Sequence, residues 1–171
     1  MQKINYFWAK VKYKTSKNPE CLSNYYRKQG AKIGSNCLIC NDFFMMDPVF
    51  VEVKNNVIIS SAVSFITHDH SINKVILDKS NLFGKIIVGN NCFIGYGSIL
   101  LYGVKLSDNI IVASGSVVTK SFEETNIIIG GNPATKIGTW GDFKSKYEKK
   151  AVCKDEVADI LTNNIDKLVW K

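Results

Sequence analysis

Residues 88–118 read VGNNCFIGYGSILLYGVKLSDNIIVASGSVV, and this stretch decides the fold. An aliphatic side chain stands at every sixth position: Val88, Ile94, Leu100, Leu106, Val112 and Val118. A period of six matches neither the 3.6-residue turn of an α-helix nor the two-residue alternation of a flat strand. It is typical of a chain that turns a corner every six residues and stacks each turn on the last. The sequence therefore predicts an all-β core built as a parallel β-helix.

The same pattern extends toward the N-terminus with two interruptions. It begins at Ile33 and resumes at Val53 in a frame shifted by two residues, as an insertion near residues 45–51 would produce. The period is lost in residues 71–86, which predicts a loop that leaves the coil at one corner. Cys37 and Cys92 fall at the fifth position of the unit, where a small apolar side chain is needed. We therefore expect buried, reduced thiols.

The chain divides into three predicted parts. Residues 1–30 carry two short helical patterns, residues 31–138 form the β-helix, and residues 139–171 carry an apolar stripe typical of a helical tail. The coil should end at the GGNP sequence of residues 130–133, because consecutive glycines and a proline do not extend a strand ladder. The N-terminal helices are interpreted as a cap over the open end of the coil. The alternative is a helix at the membrane interface, with aromatic side chains in the lipid and lysines on the headgroups.

Charge is concentrated in the N-terminal segment. Residues 1–32 hold eight basic residues and one acid, so this segment accounts for the whole net charge of +7. The rest of the chain is electrically balanced, and we therefore expect no nucleic-acid partner. The sequence has no apolar run long enough to span a membrane and no leader pattern, so we expect a cytoplasmic protein, with the inner face of the membrane as the alternative location.

The two histidines of the chain mark the candidate chemistry. They lie in the sequence THDH at residues 67–70, where the repeat breaks and the loop begins. An imidazole near its free pKa accepts a proton at neutral pH, so His68 or His70 suits a general base. Asp69 is placed to orient it, although adjacent residues on a strand point to opposite faces. Zinc is the alternative for an H-x-H pair, but a catalytic zinc site usually takes three protein ligands, and we expect no metal.

These motifs together resemble the hexapeptide-repeat acetyltransferases. The six-residue repeat, THDH before the loop, GSVVTK at residues 115–120 and GGNPA at residues 130–134 carry the resemblance over residues 28–138. It is strongest to the O-acetyltransferases of sugars and of capsular or surface polysaccharides, relatives of galactoside and maltose acetyltransferases. It implies a left-handed coil, a homotrimer, and acetyl-CoA bound between two subunits as the acyl donor for a sugar or glycan acceptor.

The resemblance also implies roles for particular residues. The family's general base falls best on His70, with His68 as the second candidate and Asp69 beside them. A backbone N–H of the coil at Tyr96 would stabilise the oxyanion. Asn41 and Asp42 lie near a position that contacts the acceptor in the family.

The implied coenzyme contacts lie further along the coil. Ser114 matches a family position that contacts the coenzyme A arm, and Thr119 and Lys120 match the pair that meets it next. The family's basic residue after Pro-Ala falls on Thr135 here, with Lys136 next to it. A cation at either lysine suits the phosphates of coenzyme A.

Other functions fit the same scaffold. The acceptor could be the amine of an amino sugar or an antibiotic, which would make the protein an N-acetyltransferase or a resistance enzyme. A metal-dependent hydratase and a non-catalytic β-helix module are the remaining alternatives.

Overall fold

The computed structural model describes residues 2–16, 18, 20–40 and 42–157. The chain forms two compact units, Met1–Ile137 and Gly138–Lys171. The first unit begins with α1 (Gln2–Ser16) and α2 (Glu20–Lys28) and continues into short strands. The strands are β1 (Lys32–Ile33), β2 (Leu38–Ile39), β3 (Phe44–Met45), β4 (Val51–Val53), β5 (Ile58–Ile59), β6 (Ser64–Ile66), β7 (His68–Asp69), β8 (Leu82–Phe83), β9 (Ile86–Val88), β10 (Phe93–Ile94), β11 (Ile99–Leu101), β12 (Lys105–Leu106), β13 (Ile110–Val112), β14 (Val117–Val118), β15 (Ile127–Gly131) and β16 (Ala134–Thr139).

Successive strands of the coil visit three sheets in turn. Sheet A has the order β1-β4-β9-β12, sheet B has β2-β5-β10-β13-β15 with β16 at its edge, and sheet C has β3-β6-β11-β14. Neighbouring coil strands pair in parallel, for example β9 with β12 and β10 with β13. A chain that passes sheets A, B and C repeatedly, with parallel pairing in each, is a parallel β-helix.

The six-residue period sets the register of the stack. Val88 pairs with Leu106, Ile94 with Val112, and Leu100 with Val118, each eighteen residues apart and therefore one full coil of three units. These six side chains are at most 1% exposed and form the central part of the core.

Two insertions interrupt the register where the sequence loses its period. Ile33 pairs with Val53, twenty residues later, because a 3-10 turn at Pro48–Phe50 adds two residues at one corner. Val53 pairs with Val88, thirty-five residues later, because a loop leaves the coil between them. Ile86, the last residue of the predicted loop, is already buried as the first residue of β9.

An asparagine column turns the corner between sheets A and B, and it was not anticipated from the sequence. Its members have left-handed backbone angles, a conformation that asparagine tolerates better than most residues. They are Asn36, Asn56, Asn91, Asn109 and Asn126, with φ between 55° and 60°. The side-chain amide of Asn91 donates to the side-chain oxygen of Asn109 at 2.9 Å, and Asn109 donates to Asn126 at 3.0 Å. The corner is therefore fixed by both conformation and hydrogen bonding.

The N-terminal helices pack on the first coils. Leu22 and Tyr26 of α2 are buried in the core, and the Tyr26 hydroxyl donates to the Phe43 carbonyl at 2.8 Å. Tyr6 and Tyr13 of α1 pack against the same cluster. None of the helices in the described part of the chain is long and apolar enough to cross a membrane.

The coil ends at the GGNP sequence, as expected, but the two glycines belong to the last coil strand. The glycines of the GGNP sequence do not stop the ladder, since β15 continues to Gly131 and the chain then doubles back into β16 beside it. Gly130 lies close to two side chains, since a Cβ atom there would be 2.8 Å from Cδ1 of Ile137 and 3.1 Å from Cβ of Ala113.

The second unit contains α3 (Trp140–Tyr147) and a 3-10 turn at Lys154–Glu156. In α3, Thr139 and Asp142 form a reciprocal cap at the N-terminus. The predicted helical tail is thus described only as far as Val157, and most of its apolar stripe lies outside the described residues.

Replacing an inward residue should destabilise the coil far more than replacing its outward neighbour. Leu106 is 1% exposed and Lys105 points to solvent. We expect Leu106→Ala to lower the free energy of unfolding by about 3 kcal/mol and Lys105→Ala to change it by less than about 0.5 kcal/mol. Urea unfolding at one fixed protein concentration measures both, and similar losses in the two variants would contradict the inward assignment.

Candidate functional site

The loop leaves the coil at the corner between sheets C and A. It departs after Thr67 and rejoins at Gly84, whose amide donates to the Thr67 carbonyl at 3.0 Å. The two ends of the loop pair as an antiparallel stem, with His68 opposite Phe83 and Asp69 opposite Leu82. The coil therefore holds both ends of the loop, and His68 lies at its base.

His68 is held by a carboxylate from the preceding coil. Its Nδ1 atom lies 2.6 Å from Oδ2 of Asp47, and the Thr67 hydroxyl donates to the same oxygen at 2.6 Å. An ionised carboxylate only accepts hydrogen bonds, so Nδ1 carries the proton and Nε2 is left as the basic nitrogen. The imidazole side chain is 20% exposed, which leaves it accessible to a substrate.

The environment keeps the Asp47 carboxyl ionised. The Thr67 hydroxyl first, and then the His68 imidazole, lower the pKa of Asp47 below its usual value, and partial burial opposes them. When the His68 imidazole accepts a proton, the negative charge of Asp47 can stabilise the positive charge of the ring.

Two rings contact the His68 imidazole. The centroid of Phe83 lies 5.3 Å away, and that of His70 lies 5.3 Å away and nearly perpendicular. His70 itself is exposed at the start of the 3-10 turn Ser71–Lys74. Of the two histidines predicted as the base, His68, the second candidate, is therefore the one whose ring is hydrogen-bonded to the Asp47 carboxylate.

Asp69 fixes the first turn of the loop. Its carboxylate accepts from the Ser71 amide at 2.7 Å and from the Ser71 hydroxyl at 2.9 Å, while the Tyr102 hydroxyl lies 3.5 Å away. These contacts, the Ser71 amide foremost, lower the pKa of Asp69. The carboxylate that orients His68 is thus Asp47, and Asp69 orders the loop beside it.

Tyr96 and Ser114 lie at a different corner, between sheets B and C. The register that pairs Ile94 with Val112 places them at equivalent positions of successive coils. The Gly115 amide donates to the Tyr96 carbonyl at 2.7 Å. Both side chains are exposed, as a coenzyme contact requires.

Asp42 lies at the same corner, two coils earlier. It has a left-handed backbone, with φ of 61°, and its carboxylate is 2.6 Å from the Lys10 ammonium of α1. Asn41, the other predicted acceptor contact, lies outside the described residues.

The two lysines predicted to contact the phosphates are exposed, and each lies near another side chain. Lys120 follows Thr119 at the corner between sheets C and A, and its ammonium lies 5.7 Å from the ring centroid of Phe122. The Lys136 ammonium is 2.5 Å from a carboxylate oxygen of Glu124. A phosphate at Lys136 would therefore compete with Glu124.

Apart from Lys136, which lies on β16 at the edge of sheet B, the predicted site residues that the structure describes form two groups at opposite edges of sheet C. His68, Asp69 and Lys120 follow one corner, whereas Tyr96 and Ser114 follow the other. Six residues of nearly extended chain, about 20 Å, separate equivalent points of adjacent corners. One chain alone does not bring the two groups together.

We next consider whether the cysteines, or a cluster of metal ligands, could form a site in the described residues. Cys37 and Cys40 have the C-x-x-C spacing that suits redox or metal sites elsewhere. Here burial raises the pKa of both thiols, which disfavours the reactive thiolate. Within residues 2–16, 18, 20–40 and 42–157, no three His, Cys, Asp or Glu side chains come together as metal ligands would.

Comparison with known proteins identifies the family. A family model described as hexapeptide repeat of succinyl-transferase matches residues 85–120. Protein CapG of Staphylococcus aureus is 39% identical over 131 residues, which cover 73% of this chain and 75% of that protein. The chain belongs to the hexapeptide-repeat acetyltransferase family.

Two further members of this family show different degrees of similarity. The galactoside O-acetyltransferase of Escherichia coli is 27% identical over 121 residues, covering 67% of this chain and 59% of that protein. The crystal structure of a hexapeptide-repeat acetyltransferase from Vibrio cholerae complexed with acetyl-CoA superposes with a TM-score of 0.58. It is 16% identical and covers 81% of this chain and 86% of its own. The structural match supports the same fold.

The Thr67 hydroxyl should control the titration of Asp47. Replacing it in Thr67→Val removes the strongest cause of the lowered carboxyl pKa, so we expect that pKa to rise toward about 4, its ordinary value. A lowered carboxyl pKa stabilises the fold above the unfolded-state value and loses this effect as pH falls through the folded-state value. The stability deficit of the variant should therefore shrink below about pH 4.

Carboxyl titration by carbon-13 NMR measures the Asp47 pKa, and urea unfolding across pH measures the deficit. Thr125→Val, a similar change at another corner, is the control. An Asp47 pKa that is unchanged in Thr67→Val would refute the assigned contact.

Proposed function

We propose that this protein transfers the acetyl group of acetyl-CoA to a hydroxyl of a sugar, in the synthesis of a capsular or surface polysaccharide. The observation that carries the proposal is the His68–Asp47 pair at the base of the loop. Membership of the acetyltransferase family and the similarity to a galactoside O-acetyltransferase support the reaction and the kind of acceptor. The acetyl-CoA complex of the Vibrio cholerae relative supports the donor.

The chemistry follows from the orientation of His68. Its Nε2 atom takes the proton of the acceptor hydroxyl as the oxygen attacks the thioester carbonyl. The tetrahedral intermediate collapses, the C–S bond breaks, and the imidazolium returns the proton to the coenzyme A sulfur. Asp47 holds the ring and stabilises its positive charge during the transfer. The acetyl group passes directly to the acceptor without an acyl-enzyme.

The oxyanion requires a fixed N–H donor near the thioester. The Gly95 amide already donates to the Val112 carbonyl at 2.9 Å. We therefore assign the oxyanion contact to the Tyr96 amide, at the other edge of sheet C. Ser114, on the same edge as Tyr96, is assigned to the coenzyme arm. Thr119 and Lys120, at the opposite edge of sheet C, and Lys136 are assigned to the more distant parts of the coenzyme.

A homotrimer would unite the two edges of the site. The outer face of sheet B carries an unbroken row of apolar side chains in register. They are Leu38, Ile58, Phe93, Ile111 and Ile128. Ile58 and Phe93 are 40% and 38% exposed in the single chain, a surface that assembly would cover. We propose that His68 of one copy faces Tyr96 and Ser114 of another.

The remaining features of the proposal follow the family. The coil is left-handed, and the protein acts in the cytoplasm, where acetyl-CoA is available. Acceptor recognition is assigned to the loop after His70, which leaves the regular coil, and, following the family resemblance, to Asn41 and Asp42. Asp42 would exchange its Lys10 partner for the acceptor.

Removing His68 should abolish acetyl transfer. We expect His68→Ala to lower kcat at least about a hundredfold, because the base is lost. Asp47→Asn should also lower kcat strongly, since an amide neither fixes the tautomer that leaves Nε2 basic nor balances the charge of the imidazolium. Release of coenzyme A from acetyl-CoA with a panel of glycosides and amino sugars as acceptors measures the rates.

His70→Ala is the matched control, since this histidine lies 5.3 Å from His68 between ring centroids but lacks the Asp47 contact. It should keep most of the activity. If His70→Ala is inactive and His68→Ala is active, then His70 is the base. If purified protein releases no coenzyme A with any acceptor in the panel, the proposed reaction is wrong.

A charge in the apolar row should separate the subunits. We expect Phe93→Glu to convert the trimer to folded monomers and to abolish activity, because one chain holds only half of the site. Light scattering measures the mass and circular dichroism the fold. Lys105→Glu, an exposed change on sheet A, should leave both mass and activity intact. A trimeric, active Phe93→Glu variant would place the interface elsewhere.

A further inference from the structure

Helix α1 presents an apolar face away from the protein. Tyr6, Ala9 and Tyr13 pack against the core cluster on one side. With 100° per residue, Trp8 and Val11 fall on the opposite side of the helix. Phe7 and Trp8 are 59% and 62% exposed, and their rings contact each other with a centroid distance of 5.8 Å. A contiguous exposed apolar patch that is rimmed by polar or charged residues marks a site of protein or membrane interaction.

Lysines border this face on both sides. Lys14 and Lys12 of α1 are exposed on its two flanks, and Lys28 of α2 lies with Lys12 and Trp8 along the groove between the two helices. None of these three lysines forms an ion pair with another described residue, whereas Lys10 and Arg27 are paired with Asp42 and Glu20. Their charge is therefore available to an external anion.

We propose that α1 binds the surface of an anionic phospholipid bilayer. Phe7, Trp8 and Val11 would enter the boundary between headgroups and acyl chains, and Lys12, Lys14 and Lys28 would contact the phosphates. The side chains that pack on the core stay in place, so the helix binds without leaving the protein. This inference is independent of the proposed acetyl transfer.

The distribution of charge selects a lipid surface over a second copy of the chain. Residues 1–32 carry a net charge of +7, equal to that of the whole protein. Two copies joined through α1 would oppose these charges, whereas an anionic leaflet attracts each lysine near its surface. Tryptophan is also the side chain most enriched at the level of the headgroups.

Vesicle sedimentation with the full chain tests the proposal. We expect binding to vesicles of equal parts phosphatidylglycerol and phosphatidylcholine, at least tenfold stronger than to phosphatidylcholine alone, and weakening as salt is raised. Phe7→Ser with Trp8→Ser, and Lys12→Glu with Lys14→Glu, should each reduce binding by at least about tenfold, since one lysine near an anionic surface contributes about fivefold.

Two double variants outside the N-terminal helices serve as controls, because they remove exposed apolar or basic side chains without changing α1 or α2. Val75→Ser with Leu77→Ser removes two side chains that are 82% and 85% exposed, and Lys149→Glu with Lys150→Glu reverses two exposed lysines. Both should bind vesicles as the unaltered protein does. Equal loss in these controls, or no preference for phosphatidylglycerol, would overturn the proposal. A fall in oligomer mass in Phe7→Ser with Trp8→Ser would assign the face to a second copy instead.

Discussion

The contact of each inward aliphatic side chain with its equivalent one coil later holds this molecule together. The strands are two or three residues long in most coils, too short to be stable as separate sheets. They persist because Ile94, Val112 and their equivalents fill a continuous interior with almost no exposure. The corners must therefore recur at a fixed spacing, and the left-handed Asn91 and Asn109 let the chain turn there without strain.

The same stacking creates the candidate site. Asp47 and His68 are twenty-one residues apart in the chain, yet the coil places their side chains in hydrogen-bond contact. The pairing of Met45 with Phe65 sets Asp47 level with Thr67, and the insertion at Pro48–Phe50, directly after Asp47, lengthens this coil from eighteen to twenty residues. The regular coils thus form a rigid frame, and the two insertions decide what is attached to it.

The sequence predicted the coil, its frame shift and the position of the loop, because an aliphatic period of six is visible in a single chain. It did not reveal Asp47, because this carboxylate reaches His68 only through the stacking of two coils, and no local sequence motif marks such a contact. Nor did it rank the two histidines by their contacts, which depend on the stem that pairs His68 with Phe83. The sequence also did not predict that β15 continues through Gly131. Glycines have a low strand propensity, but here β16 pairs along the edge of sheet B beside them.

The hairpin of β15 and β16 has a further consequence for the behaviour of the protein in solution. A β-helix is an open-ended stack, and its last coil offers unpaired backbone groups on which the first coil of another molecule could continue. Here α2 packs on the first coils, and β16 occupies the edge of sheet B beyond β15. The fold therefore carries its own protection against end-to-end growth into filaments, and loss of either end would expose a template for polymerisation.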